Sequence, residues 1–154
     1  MKHYYAHTPS DATNQWHDLP SHLTAVSKQA QSFAETFDGG ELGYWAGLLH
    51  DLGKYNPDFQ AYLKAQHEKS FHPKVPHSIW GAALIYWLIA GRSRTDGSNR
   101  SWWSLTPLIA GHHGGLNCPS LLDQTLVGIE PEELATYLEH FRELPKPPSL
   151  KVEW

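Results

Sequence analysis

A chain of 154 residues is long enough for one domain with a sizeable core and too short for two independent ones. The hydrophobic content of 40% and the seven tryptophans exclude an intrinsically disordered chain. A formal net charge of −4, with eleven histidines counted as neutral, argues against a broad basic surface that grips duplex DNA. A narrow site in which metal ions supply the positive charge remains compatible with it.

The sequence contains no apolar run that approaches the roughly 18 residues needed to cross a membrane. Its first residues lack the apolar stretch of a signal peptide. The lone Cys118 has no internal disulfide partner, which fits a reducing compartment, and we expect it to be a small hydrophobe without a chemical role. We therefore expect a cytoplasmic protein with no membrane partner.

The first half of the chain predicts an irregular arm over 1–18 followed by three helices. The first begins near Pro20 and ends at Gly39-Gly40. The second covers about 41–52, is apolar nearly all round and is expected to be central, with Gly53 as its C-cap. The third follows Asn56-Pro57, with the asparagine as N-cap and the proline in the first turn.

The second half predicts a loop over 67–76 and then a strongly apolar helix from His77 to about Ala90. A polar surface loop follows over 92–103. Three short helices are expected over 104–112, 119–126 and 131–142, before a tail over 144–154. We find no repeat and no convincing strand pattern, so the sequence predicts an all-α helical bundle, a single domain over 1–154.

The His50-Asp51 pair stands at the end of the central apolar helix, with Lys54 three residues further on. A buried carboxylate costs several kcal/mol unless a partner neutralises it, and a metal ion is the strongest such partner. For Lys54 two interpretations remain open. It either binds a phosphate oxygen or a leaving group, or it is a lysine stabilised by the dipole at a helix end.

Further candidate ligands are His22, His77 and the pair His112-His113. Taken alone, His22 is equally compatible with a capping or core-edge residue, and His77 with a solvated residue at a helix start. The pair is harder to explain structurally, because flanking glycines let the backbone turn sharply there. Together with Asp51, these histidines have the composition of a two-metal centre in a helical bundle, with the aspartate as the bridge.

At these residues the chain resembles the HD phosphohydrolases, and more closely the HD nuclease domain of the CRISPR-associated type I helicase-nuclease. The resemblance rests on Tyr5-Ala-His-Thr8, Leu19-Pro-Ser-His-Leu23, His50-Asp-Leu-Gly-Lys54, Phe59-Gln-Ala-Tyr62, His77-Ser-Ile-Trp-Gly-Ala82 and Ala110-Gly-His-His-Gly-Gly-Leu116. It implies an HD-domain bundle with the metal site between its central helices.

The resemblance also implies the roles of the residues. His22, His50 and Asp51 match the first metal site, His77, His112 and His113 match the second, and Asp51 lies between the two. Asp51 and Lys54 are the expected catalytic residues. The implied cofactors are two divalent transition-metal ions, with Mn, Co, Ni or Fe favoured over Mg or Zn. The implied partners are single-stranded DNA, a helicase domain or subunit, and a CRISPR surveillance complex.

One departure from the family pattern concerns a later aspartate that completes the first metal site. Asp123 is the only aspartate after the histidine pair, and it follows Pro119-Ser-Leu-Leu122 too closely to match. The chain therefore resembles the N-terminal portion of a longer nuclease or an unusually short version of it. If the aspartate is missing, the first ion either binds weakly or takes a water in its place.

The leading hypothesis is a metal-dependent endo- or exonuclease that hydrolyses single-stranded DNA in CRISPR antiviral defence. One alternative keeps the fold and acts on nucleotides, and another is a catalytically incomplete docking module. A loop that contains Trp102-Trp103 and three arginines has the composition to stack bases, although a solvated insertion or a partner-docking surface explains it better.

Overall fold

The computed structural model describes residues 3–9, 14–90, 104–116 and 118–145. This part of the chain is a helical bundle, as the sequence predicts. Its α-helices are α1 (Leu19–Ala34), α2 (Gly40–Leu49), α3 (Pro57–His67), α4 (Ser78–Ala90), α5 (Leu105–Gly111), α6 (Pro119–Val127) and α7 (Ala135–Glu143). Short 3-10 helices cover Glu35–Phe37, Leu52–Tyr55 and Pro131–Leu134. Among the described residues, no helix combines the length and the apolar character that crossing a bilayer requires.

The predicted irregular arm is wrong in one respect, because it contains a small antiparallel hairpin. Strands β1 (Tyr5–His7) and β2 (His17–Asp18) pair so that His7 lies opposite His17. Strands of three and two residues are too short for an alternating pattern, which explains why the sequence does not reveal them. The predicted loop over 92–103 and the tail beyond Pro145 lie outside the described residues.

The prediction of a single helix over about 41–52 needs a correction that matters for the site. Helix α2 ends at Leu49, and a 3-10 helix begins at Leu52 with Gly53 inside it, so Gly53 is not a C-cap. His50 and Asp51 therefore lie at the break between the two helices. A third helix begins as predicted, because the Asn56 side chain accepts a hydrogen bond from the backbone N–H of Asp58.

Helix α2 lies at the centre of the bundle. Trp45, Leu48 and Leu49 are at most 1% exposed, since this helix is apolar on nearly every face. Helix α1 packs along α2, and α4 packs against α5. The rest of the core comes mainly from Leu19, Leu23, Leu52, Ala82, Ala83, Leu84, Leu105, Ile109, Leu126 and Phe141.

Two glycines bring the functional segments close to one another. A Cβ atom at Gly53 would overlap the carbonyl oxygen of His77, and one at Gly81 would overlap the carbonyl oxygen of Leu49. Only a residue without a side chain allows these backbones to approach so closely. The approach holds the start of α4, which directly follows His77, against the end of α2, which directly precedes His50.

Candidate metal centre

Asp51 is a buried carboxylate at the meeting point of several helices. Asp51 is 2% exposed, and it lies at the break between α2 and the 3-10 helix that follows. Because an isolated carboxylate is costly in such a place, its surroundings decide its chemistry.

One carboxylate oxygen, Oδ2, faces a cluster of nitrogen atoms. It lies 3.1 Å from His22 Nε2, 3.1 Å from His50 Nε2 and 2.8 Å from Lys54 Nζ. The two histidine nitrogens are 3.3 Å apart. Helix α1 therefore contributes His22 to the same point that the end of α2 reaches with His50.

The other oxygen, Oδ1, faces a different pair of histidines. It lies 3.3 Å from His77 Nε2 and 3.4 Å from His112 Nε2. His113 joins this side, with its Nε2 atom 3.0 Å from that of His77. These four residues (Asp51, His77, His112 and His113), with His22 and His50, form what we call the Asp51 centre. The carboxylate divides it into two groups of donors.

In two histidines, the hydrogen bond made by Nδ1 determines whether Nε2 can donate or accept. His50 Nδ1 lies 2.7 Å from the Gly47 carbonyl oxygen, and His112 Nδ1 lies 2.7 Å from that of Ile109. A carbonyl oxygen only accepts, so Nδ1 is the donor in each ring. In the neutral ring, Nε2 then presents a lone pair to Asp51, and lone pairs of nitrogen and oxygen face each other.

This arrangement fits a cation between the facing atoms. Asp51 Oδ1 and His112 Nε2 are both buried, and neither has a hydrogen-bond partner. Neutral imidazole and carboxylate are common ligands of transition metals. A histidine ligand usually donates the N–H of its other ring nitrogen to an acceptor such as a carbonyl, which fixes the orientation of the ring. The donor set is therefore suited to divalent transition-metal ions.

The charge states agree with this chemistry. Burial alone would raise the pKa of Asp51, but contacts with His112, His22 and His50 outweigh it and hold the pKa far below its usual range. Burial likewise opposes protonation of His112, yet the contact with Asp51 raises the pKa of that ring. For His113, burial and the neighbouring rings of His112 and His77 lower the pKa. Asp51 is therefore an anion, and a metal ion competes with a proton for His112.

Lys54 lies inside this environment and not at a solvated helix end. The residue is 4% exposed, and its ammonium group donates to Asp51 Oδ2 and to the Ala6 carbonyl oxygen at 3.0 Å. Two of its three N–H donors are thus engaged within the protein. This geometry favours a lysine that holds the carboxylate in place over one that reaches out to a phosphate.

Two histidines near the centre are not singled out by the sequence as ligands. His7 and His17 of the hairpin group with His22 through ring nitrogens that lie within 4.8 Å of one another. Partial desolvation of its ring, together with the charge of Lys54, lowers the pKa of His7 to about 4. His7 does belong to a motif that carries the family resemblance, but only the unpredicted hairpin brings His17 beside it.

Asp123 does not join the donors of the centre. It lies on α6 with an exposed side chain, and no group of potential ligands among the described residues includes it. The loop that contains Trp102, Trp103 and three arginines lies outside the described part of the chain. Cys118 is exposed and is therefore not the small buried hydrophobe that we expected.

Metal binding is expected to stabilise the fold measurably. Mn²⁺ at 100 times its dissociation constant should add about 2.7 kcal/mol to the free energy of unfolding, since the ion binds only the folded chain. Thermal melts of the metal-free chain with and without Mn²⁺ measure this. His112→Ala should lose most of the gain, whereas His3→Ala, an exposed histidine outside the centre, should keep it. Identical melting temperatures with and without metal in the unaltered chain would contradict the assignment.

The comparisons with known proteins agree with the motifs. Residues 6–144 match the family model described as Cas3, HD domain. The match runs from the hairpin to the end of α7 and includes every residue of the Asp51 centre. No individual curated protein matches the chain.

Proposed function

The chain belongs to the Cas3 HD-domain family, which consists of metal-dependent HD hydrolases in CRISPR defence, and from this premise we propose that it hydrolyses phosphodiester bonds of single-stranded DNA. The proposed reaction centre is Asp51 with its surrounding histidines. The proposed cofactors are two divalent transition-metal ions, with Mn, Co, Ni or Fe favoured over Mg or Zn.

The observation that carries the proposal is the two-sided environment of one carboxylate. Asp51 Oδ2 faces His22 and His50, whereas Oδ1 faces His77 and His112. A carboxylate that offers one oxygen to each of two nitrogen clusters is suited to bridging two cations. We propose that His22 and His50 hold one ion, that His77, His112 and His113 hold the other, and that Asp51 contributes to both.

Hydrolysis adds water across the phosphorus–oxygen bond, so the hydroxyl joins phosphorus and the proton goes to the departing sugar oxygen. The ions, when bound, would supply Lewis acidity that lowers the pKa of a water to about 7 and neutralises charge on the phosphoryl oxygens. The chain supplies the geometry. Lys54 holds Oδ2 in place, and the carbonyls of Gly47 and Ile109 fix the tautomers of His50 and His112.

The partly buried position of the histidine ligands favours a flexible, single-stranded substrate. The side chains of His22, His50, His77 and His112 are 12%, 18%, 12% and 17% exposed. A single strand can bend to bring one phosphate to such a centre, whereas a stiff duplex meets the surrounding helices first. The proposed partners follow from this requirement: a helicase domain or subunit and a CRISPR surveillance complex, which open the duplex and present one strand.

The substrate class can be tested with the chain and Mn²⁺ alone. A single-stranded oligonucleotide is expected to be cut at least about tenfold faster than the same sequence as a blunt duplex, because duplex ends must first unpair at a cost of about 1.4 kcal/mol per base-pair step. Gel analysis of end-labelled DNA measures both rates. Faster release of phosphate from mononucleotides than cleavage of the oligonucleotide would instead identify a nucleotide phosphohydrolase. Absence of all hydrolysis from a chain that retains no metal would indicate a docking module.

A further inference from the structure

A second group of histidines lies beside the Asp51 centre, on the hairpin side. We call His7, His17 and His22 the outer histidine group, because one ring nitrogen of each lies within 4.8 Å of those of the others. His7 and His17 are opposite one another in the hairpin, and their rings stack with centroids 5.8 Å apart. The ring of His22 meets these two edge-on, at 5.0 and 5.1 Å.

We propose that the outer histidine group is a third metal-ion site, which binds a single divalent transition-metal ion such as Zn²⁺. This site goes beyond the proposed nuclease centre and shares only His22 with it. Nothing in the proposed hydrolysis requires His7 or His17. Their convergence on His22 therefore calls for an explanation of its own.

Hydrogen bonds within the protein hold the backbone of β1 in place before any ion binds. The Gln60 side chain accepts from the N–H of Tyr5 at 2.9 Å and donates to its carbonyl oxygen at 3.0 Å. Lys54 donates to the carbonyl oxygen of Ala6. These bonds fix β1 at Tyr5 and Ala6, the two residues that precede His7. A site whose ligands are already in place loses little entropy when an ion binds.

The donor set selects the class of ion. Three imidazoles without a carboxylate suit Zn²⁺, Co²⁺, Ni²⁺ or Cu²⁺, whereas Mg²⁺ and Ca²⁺ require oxygen ligands. Three protein ligands also leave a coordination position open for solvent. His7 and His17 are exposed, so the ion exchanges readily with solution. His22 also contacts Asp51, and a neutral imidazole has a single lone pair, so an ion here competes for His22 with the ion proposed to lie between His22 and His50.

The test is a titration of the full chain with Zn²⁺, followed by NMR of the histidine ring nitrogens. The resonances of His7 and His17 are expected to shift together and to saturate at one common midpoint. The rings of His3 and His72, outside both clusters, serve as internal references and should not follow that midpoint. In His17→Ala, the midpoint for His7 should rise by at least about tenfold, the lower bound even for losing indirect support of a metal site.

The outcomes separate this site from the nuclease centre. Shifts of His77 and His112 without any shift of His7 and His17 would overturn the third site and leave the nuclease centre intact. Shifts confined to the outer histidine group would support the third site and contradict the centre. An unchanged midpoint for His7 in the His17→Ala chain would also overturn the proposal, because it would show that the two rings do not share an ion.

Discussion

Asp51→Asn is expected to abolish cleavage of single-stranded DNA. The substitution preserves the shape of the side chain and removes the charge that both donor groups share, so both ions should be lost together. The loss of several kcal/mol of charge stabilisation in the transition state corresponds to at least about 1,000-fold in rate. Cleavage of an end-labelled oligonucleotide at saturating Mn²⁺, together with the metal content of the purified chain, measures the effect.

Asp123→Asn is the matched control for this experiment. It makes the same chemical change at an exposed position on α6, outside the potential ligand groups, and should cut DNA at the original rate. Circular dichroism determines whether the Asp51→Asn chain folds. If it does not, the double variant Asp51→Asn, Lys54→Met removes the buried ammonium as well and should recover folding without activity. Undiminished cutting by Asp51→Asn would exclude this carboxylate from the reaction.

Gly81→Ala is expected to lower stability and weaken metal binding together. The new Cβ atom would meet the carbonyl group of Leu49 and the side chain of Ile109, and a backbone group inside a helix cannot move aside cheaply. Overpacking of this kind costs about 3 kcal/mol, which corresponds to a fall of about 6–12 °C in melting temperature for a chain of this size. Displacement of α4 also moves His77 away from Asp51.

Gly128→Ala provides the comparison for this substitution. The nearest atoms to a Cβ at that position are 3.5 and 3.6 Å away, which is ordinary contact. We expect Gly128→Ala to melt at or above the original temperature, since alanine restricts the unfolded chain more than glycine does. Equal melting temperatures for the two variants would show that the approach of α4 to α2 does not limit stability.

Most of the helices follow from the sequence because their signals are local. Apolar residues at helical spacing, the Asn56 cap and Pro57 in the first turn are read without knowledge of the fold, and α1, α3 and α4 form nearly where they are predicted. The break after Leu49 was missed. The α-helix ends there, and His50 and Asp51 contact residues that are distant in the sequence. A local sequence pattern contains no information about such contacts.

The kinds of donor, the family and the all-α architecture follow from the order of the amino acids alone. The sequence also marked Asp51 as a carboxylate that needs a cation, because burial of an unpaired charge is costly wherever it occurs. The folded structure was needed to show which nitrogen faces which oxygen, that Lys54 is enclosed beside Asp51, and that His17 lies next to His7 and His22. These facts depend on where separate helices and a short hairpin meet, and that meeting is governed by close packing over long sequence distances.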